Sequence, residues 1–292
     1  MDCQERPNPA QNERWEGGCD THVHVYDHSY PVSPAAVLRP PDASTAEYRT
    51  VQEALGLERV VFVQPTTYGL DNSCQIAAAS AVGDAARLVV VIDDTTPDDE
   101  IDRLTALGAR GARFHMLPGG AVPWEVIETV GDRVTARGWH IQLQLNGREL
   151  PDRISVLRRL RAPIVVDHVG RFMPPVTTDD PAFRLLLGLI DDGRCWVKLS
   201  APYESMRDGA PTYPAVSALA HELVARAPER VLWASNWPHP GQDRPPTPFD
   251  LCALRDDWLP TEALRRRVLV DNPAEVYDFA PITPTPRSEE HP

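Results

Sequence analysis

The chain has 292 residues, 42% of them hydrophobic and 24% charged, with a formal net charge of −13. That composition suits a soluble protein with a substantial core, and the acidic balance, without any basic stripe, argues against nucleic acid or an anionic membrane as partner. No run approaches the roughly 18 apolar residues of a membrane span, no basic-then-apolar leader is present, and Cys3, Cys19, Cys74, Cys195 and Cys252 form no CxxC pair, so reduced thiols and a cytoplasmic location are expected.

In chain order, residues 1–18 are polar, contain two prolines and end in Gly17-Gly18, which reads as a loose arm. Short β-branched runs then recur, predicting strands near 20–26, 59–64, 88–93, 110–115, 139–145, 163–168, 195–200 and 230–235. Helical patterns fall between most of them, at 45–56, 73–84, 97–107, 122–137, 150–160, 180–192 and 213–227, followed by 261–270 and a turn at 273–278. Eight βα units predict one (β/α)8 TIM barrel over residues 19–280, with 281–292 as a flexible tail. An open doubly wound sheet should carry GxGxxG after an early strand, and none is present.

Functional residues of such a barrel sit at the C-terminal ends of strands. Cys19-Asp20-Thr21-His22-Val23-His24 places His22 and His24 two apart on one strand face, where imidazoles converge for proton transfer or metal binding. Ile164-Val165-Val166-Asp167-His168 is a buried strand ending in a polar cluster. It delivers His168 to the rim and points Asp167 to the other face, in a structural role. After strand 8, Ser235-Asn236-Trp237-Pro238-His239-Pro240 holds Asn236 and His239 at the mouth. Gln142 and Gln144 are polar residues that an apolar barrel interior would reject unless satisfied, and so are site candidates.

Asp20-Thr21-His22-Val23-His24, Asp167-His168-Val169-Gly170-Arg171 and Ala234-Ser235-Asn236-Trp237-Pro238-His239-Pro240 together resemble the amidohydrolase superfamily. More narrowly they resemble its 2-pyrone-4,6-dicarboxylate lactonase branch, whose members are distorted barrels acting on lactones. Asp271-Asn272-Pro273-Ala274-Glu275-Val276-Tyr277 resembles that family's terminal helix. The resemblance implies a metal-independent hydrolase of a carboxylated lactone and no cofactor, with Tyr48, Tyr68 and Tyr203 in ligand-contacting loops and Gln64, Thr66 and Thr67 beside them.

The departures from the pattern concern metal and base. Metal-dependent relatives add a carboxylated lysine on strand 4 or a histidine on strand 5, and an aspartate ending strand 8. Here strand 4 has Arg113 and His115, strand 5 has Gln142 and Gln144 with His140 at its opposite end, and Asn236 replaces the aspartate. Three imidazoles could still hold zinc; the preferred reading is that they act without metal, polarising the lactone carbonyl as hydrogen-bond donors. An amide cannot act as the base. Either another group activates water, or the nucleophile is a hydroxyl of the substrate, which makes the reaction a lactone isomerisation of a sugar diacid lactone. Arg113, Arg171, Arg207 and Lys198, near strand ends, are expected to bind the substrate carboxylate, and His239 to assist. A metal-dependent hydrolase or decarboxylase and an inactive ligand-binding barrel are the remaining alternatives.

Overall fold

Strand formation follows the apolar runs closely. In the computed structural model, which describes residues 13–280 and 282, these runs become β1 (Cys19–Val23), β2 (Arg59–Val63), β3 (Ala86–Val90), β4 (Ala109–His115), β5 (His140–Gln144), β6 (Ile164–Val166), β7 (Cys195–Leu199) and β8 (Val231–Trp233). All neighbouring strands are parallel and follow chain order, as expected when every crossover is a helix. The barrel closes just beyond β8: Asn236 N–H donates to His22 O at 3.0 Å, and His24 N–H donates to Trp237 O at 2.9 Å.

The helices between the strands are α1 (Thr45–Leu55), α2 (Ser73–Val82), α3 (Asp98–Ala106), α4 (Ile127–Thr135), α5 (Leu150–Arg159), α6 (Pro181–Asp191) and α7 (Pro214–Arg226). After β8 come α8 (Pro248–Trp258), α9 (Glu262–Arg266) and α10 (Asn272–Tyr277). Local chemistry sets their ends. Ser44 and Glu47 form a capping box at the start of α1, and Gly56 ends that helix at φ 70°, a conformation a side chain would strain. The expected helix at 122–137 is a 3₁₀ turn at Trp124–Val126 running into α4. The helix α8 was not anticipated, although Thr247 and Asp250 box its start and Pro248 occupies its first turn.

Two apolar cores result. The larger lies between the sheet and the helices. The smaller fills the lower barrel with Cys19, Val61, Val89, Val165, Trp196 and Leu232. Tyr277 and Phe279 plug it from below, with Arg87 and Arg59 stacked 4.4 and 4.9 Å from the Phe279 ring. Apart from His140, which enters at the lower end of β5 against the Tyr277 ring, the buried histidine and charged side chains of the barrel gather in its upper half. Within the expected arm, Trp15 is buried and residues 13–18 pack against Gly56 and Glu58; residues 1–12, with Cys3, lie outside the described residues. Of the expected tail, 281 and 283–292 also lie outside them. No helix among the described residues is long and apolar enough to cross a membrane.

Candidate active site

Side chains reach the barrel mouth by two routes. Strand alternation turns Arg113 and His115 of β4 and Gln142 and Gln144 of β5 inward. Irregular exits supply the rest. The register shift in β1 between Asp20 and Val23 breaks the parity of the strand: Asp20 accepts from Tyr48 of α1 and from Ser235 N–H, while His22 faces the interior. His168, Asn236 and His239 hold φ values of 55°, 61° and 63°. Such left-handed conformations are costly for side-chain-bearing residues and cluster at functional sites.

The imidazoles form a bonded chain. His24 Nδ1 lies 2.7 Å from Val63 O and His24 Nε2 lies 3.2 Å from His22 Nε2. His22 Nδ1 then meets Asp167 Oδ1 at 3.2 Å and Lys198 Nζ at 3.3 Å. Gln142 ties the base together, donating to Asp167 Oδ2 at 3.1 Å and accepting from Lys198 at 2.6 Å. Burial, reinforced by Arg113, lowers the His24 pKa to about 3, and burial with Lys198 beside it holds His22 well below the usual histidine range. Burial likewise depresses His168, takes His115 to about 3 and His239 to about 4, so these rings are neutral at pH 7. Lys198 is lowered to about 8 by the same cause.

Above this layer a cleft is lined by His24, Tyr26, Leu38, Pro65, Thr66, Arg113, His115, Gln144, His168, Glu204, Asn236 and Pro240. Arg113 is fixed by bonds to Gln64 O (2.6 Å) and Gln144 Oε1 (2.7 Å), while its Nε has no partner. His168 Nδ1 is held 2.9 Å from Ser200 Oγ, which leaves its Nε2 for the cleft. Asn236 donates its Nδ2–H to Tyr203 Oη at 3.0 Å, and Tyr203 Oη meets His239 Nδ1 at 2.9 Å. With the amide nitrogen so engaged, Asn236 Oδ1 is buried without a partner. It is an acceptor awaiting a donor.

Of the residues singled out from sequence, His24, Thr66, Arg113, Gln144, His168 and Asn236 line this cleft. His22, Gln142 and Lys198 lie in the buried layer beneath it, and His239 sits behind Tyr203. Tyr48 is bound to Asp20 outside the strand ring and packs on Trp237, and Tyr68 bonds to the Asp27 backbone. Arg171 is paired with Glu204 at 3.4 Å, and Arg207 is exposed. The structural placement expected for Asp167 is corrected: it faces the interior, against His22, Gln142 and Lys198. Asp167 shares the parity of Val165, which lies in the lower-barrel core, so strand alternation itself turns it inward; it is His168, with φ 55° just beyond the end of β6 at Val166, that leaves the alternation. His115, Tyr26 and Glu204 were not chosen from the sequence. The parity of His115 with Arg113 would have identified it; Glu204 lies in a 3₁₀ turn and carries no periodic signal.

Among the described residues one cluster has metal-ligand character, with ligand atoms of His22, Asp167 and His168 within 4.8 Å of one another. The 3.2 Å between the Nε2 atoms of His22 and His24 would also suit two ligands of a tetrahedral ion. The charges do not fit. Asp167 is the one carboxylate of that cluster, Lys198 Nζ stands 3.5 Å from it, Arg113 adds a second cation, Glu204 across the cleft is paired with Arg171, and Asn236 supplies no anion. A dication would meet no net negative charge.

An amidohydrolase family model matches residues 19–279. The chain is 38% identical to D-galactarolactone isomerase of Agrobacterium fabrum, covering 96% of both chains. It is 30% identical to a 2-pyrone-4,6-dicarboxylate hydrolase of Comamonas testosteroni over 95% of both. A ligand-free crystal structure from Agrobacterium tumefaciens superposes with a TM-score of 0.86 at 38% identity, covering 93% of this chain and 98% of that one.

Proposed function

Because the chain belongs to the amidohydrolase family, we propose that it acts on a small carboxylated lactone, without a resident metal, by moving the acyl bond between two oxygens of the substrate itself. The observation that carries this reading is the orientation of Asn236: its amide N–H is committed to Tyr203, so its Oδ1 offers the cleft an acceptor. An amide oxygen can align a hydroxyl but cannot take its proton at neutral pH. That suits a substrate that brings its own nucleophile, such as a sugar diacid lactone of the kind named for the relative of 38% identity.

In this reading the substrate carboxylate docks on the unused N–H groups of Arg113, supported by Gln144. The ring carbonyl lies toward His168, with the neutral His22–His24 pair behind it. A hydroxyl held by Asn236 Oδ1 attacks the carbonyl carbon, the ring C–O bond breaks, and the proton leaving the hydroxyl ends on the departing ring oxygen by way of an imidazole. No water is consumed, and ring size changes. Closeness of the reacting groups within one molecule supplies much of the rate. The charge balance of the buried cluster supports metal independence, and the buried thiols Cys19, Cys74 and Cys195 are consistent with a cytoplasmic location.

A second reading, hydrolysis, is favoured by the 2-pyrone-4,6-dicarboxylate hydrolase relative and by Glu204, the carboxylate that lines the cleft. Turnover of sugar diacid lactones in ¹⁸O-labelled water, followed by NMR and mass spectrometry with and without chelator, separates the readings. A change of ring size without label, insensitive to chelator, is expected. One labelled oxygen per turnover in ring-opened product would replace isomerisation by hydrolysis.

A further inference from the structure

We propose that Lys198 is a positioning residue that sets the tautomer of His22, placing that ring's proton on Nε2, at the edge shared with His24. The chain of bonds starts at Val63 O, a carbonyl that can only accept. Val63 O accepts from His24 Nδ1 at 2.7 Å, so Nδ1 carries the hydrogen, and a neutral His24 then presents a lone pair at Nε2. The bond of 3.2 Å between the two Nε2 atoms therefore takes its hydrogen from His22. A neutral His22 protonated on Nε2 has a lone pair on Nδ1, and the donor within reach is Lys198 Nζ at 3.3 Å.

The ammonium count agrees. Lys198 has three N–H bonds, and its three nearest acceptors are Thr21 O at 2.8 Å, Gln142 Oε1 at 2.6 Å and His22 Nδ1 at 3.3 Å, with Asp167 Oδ1 farther off. Asp167 Oδ1, 3.5 Å from Nζ and 3.2 Å from His22 Nδ1, competes for the same ring position and by itself would draw a proton onto Nδ1. Burial keeps His22 uncharged, and Lys198 beside the ring and the carboxylate adds to this. The assignment stands on hydrogen-bond geometry alone. Its catalytic consequence rests on the lactone reading: a donor, rather than two facing lone pairs, lies behind the cleft-lining ring of His24.

The test is two-bond ¹H–¹⁵N correlation on histidine-labelled protein without substrate, with the His22 signal assigned by its loss in His22→Gln. In the wild type at neutral pH, His22 is expected with bare Nδ1 and protonated Nε2. Lys198→Gln, which keeps an N–H donor, should preserve that pattern; Lys198→Met should bring a proton onto Nδ1 and lower kcat at least tenfold with KM changed less than threefold. A wild-type His22 already protonated on Nδ1 would overturn the proposal, whether or not any variant folds, as would an unchanged His22 in folded Lys198→Met. If the spectra agree but no lactone is turned over, the tautomer assignment stands and the functional reading falls.

Discussion

Replacing Asn236 by Asp changes one buried NH₂ into a carboxylate oxygen and nothing else in size. Asn236 is 2% exposed and its Nδ2 lies 3.0 Å from Tyr203 Oη, which would reverse its bond and donate to the new carboxylate. His168 and His24 flank the same cleft. The variant thus acquires a base where the wild type has only an acceptor, and a positioned base is worth roughly 10²–10⁴ in rate, about 3–5 kcal/mol of barrier. Attack by water should gain that factor while attack by the substrate hydroxyl, already held by proximity, gains less. The expected outcome is incorporation of ¹⁸O from solvent into ring-opened product at least 10²-fold faster than in the wild type. Burying the extra carboxylate should cost on the order of 1–3 kcal/mol, lowering Tm by several degrees without unfolding the barrel. Folded Asn236→Asp that incorporates label no faster than the wild type would show that Asn236 does not decide between water and hydroxyl.

Tyr203→Phe removes the hydroxyl that anchors Asn236 Nδ2 and meets His239 Nδ1. With two buried groups left unpaired, a loss of about 1–3 kcal/mol in stability and a tenfold or greater fall in kcat/KM are expected, measured by thermal melting and initial rates. Arg113→Lys keeps the charge but loses the planar fork that reaches Gln64 O and Gln144 Oε1, so KM for a carboxylated lactone should rise by about 10-fold or more, with a smaller effect on kcat. Stability should fall on acidification between pH 6.5 and 4. The histidines at 24, 115 and 140 are lowered to about 3 by burial, so the unfolded chain takes up their protons near its ordinary histidine pKa while the folded chain does not. Within that window each contributes a slope of up to about 1.4 kcal/mol per pH unit, opposing the folded state as pH drops. Denaturant melts at pH 7, 6 and 5 check this, and a midpoint that rises on acidification would refute it.

Much of the architecture was legible in the chain because it is periodic. Apolar runs such as Ile164-Val165-Val166 and the helical intervals between them specify burial locally, and eight repeats of that unit leave few ways to close a sheet. The same alternation placed His22 and His24 side by side, and the loop chemistry around Asn236 put it at the mouth. Which polar groups touch was decided by tertiary structure alone. His22 and Asp167 are 145 residues apart in sequence, and their contact exists because barrel closure turns β1 toward β6 and because the register shift in β1 brings His22 inward, onto an Asp167 that follows the parity of Val165. Likewise Lys198 could be read from sequence as a rim cation, yet β7 sets it beneath His22, where Thr21, Gln142 and Asp167 enclose it. Periodicity tells a residue which side of its own strand to occupy; hydrogen-bond partners, tautomers and the direction of the Asn236 amide depend on distances between strands, and those arise only when the barrel closes.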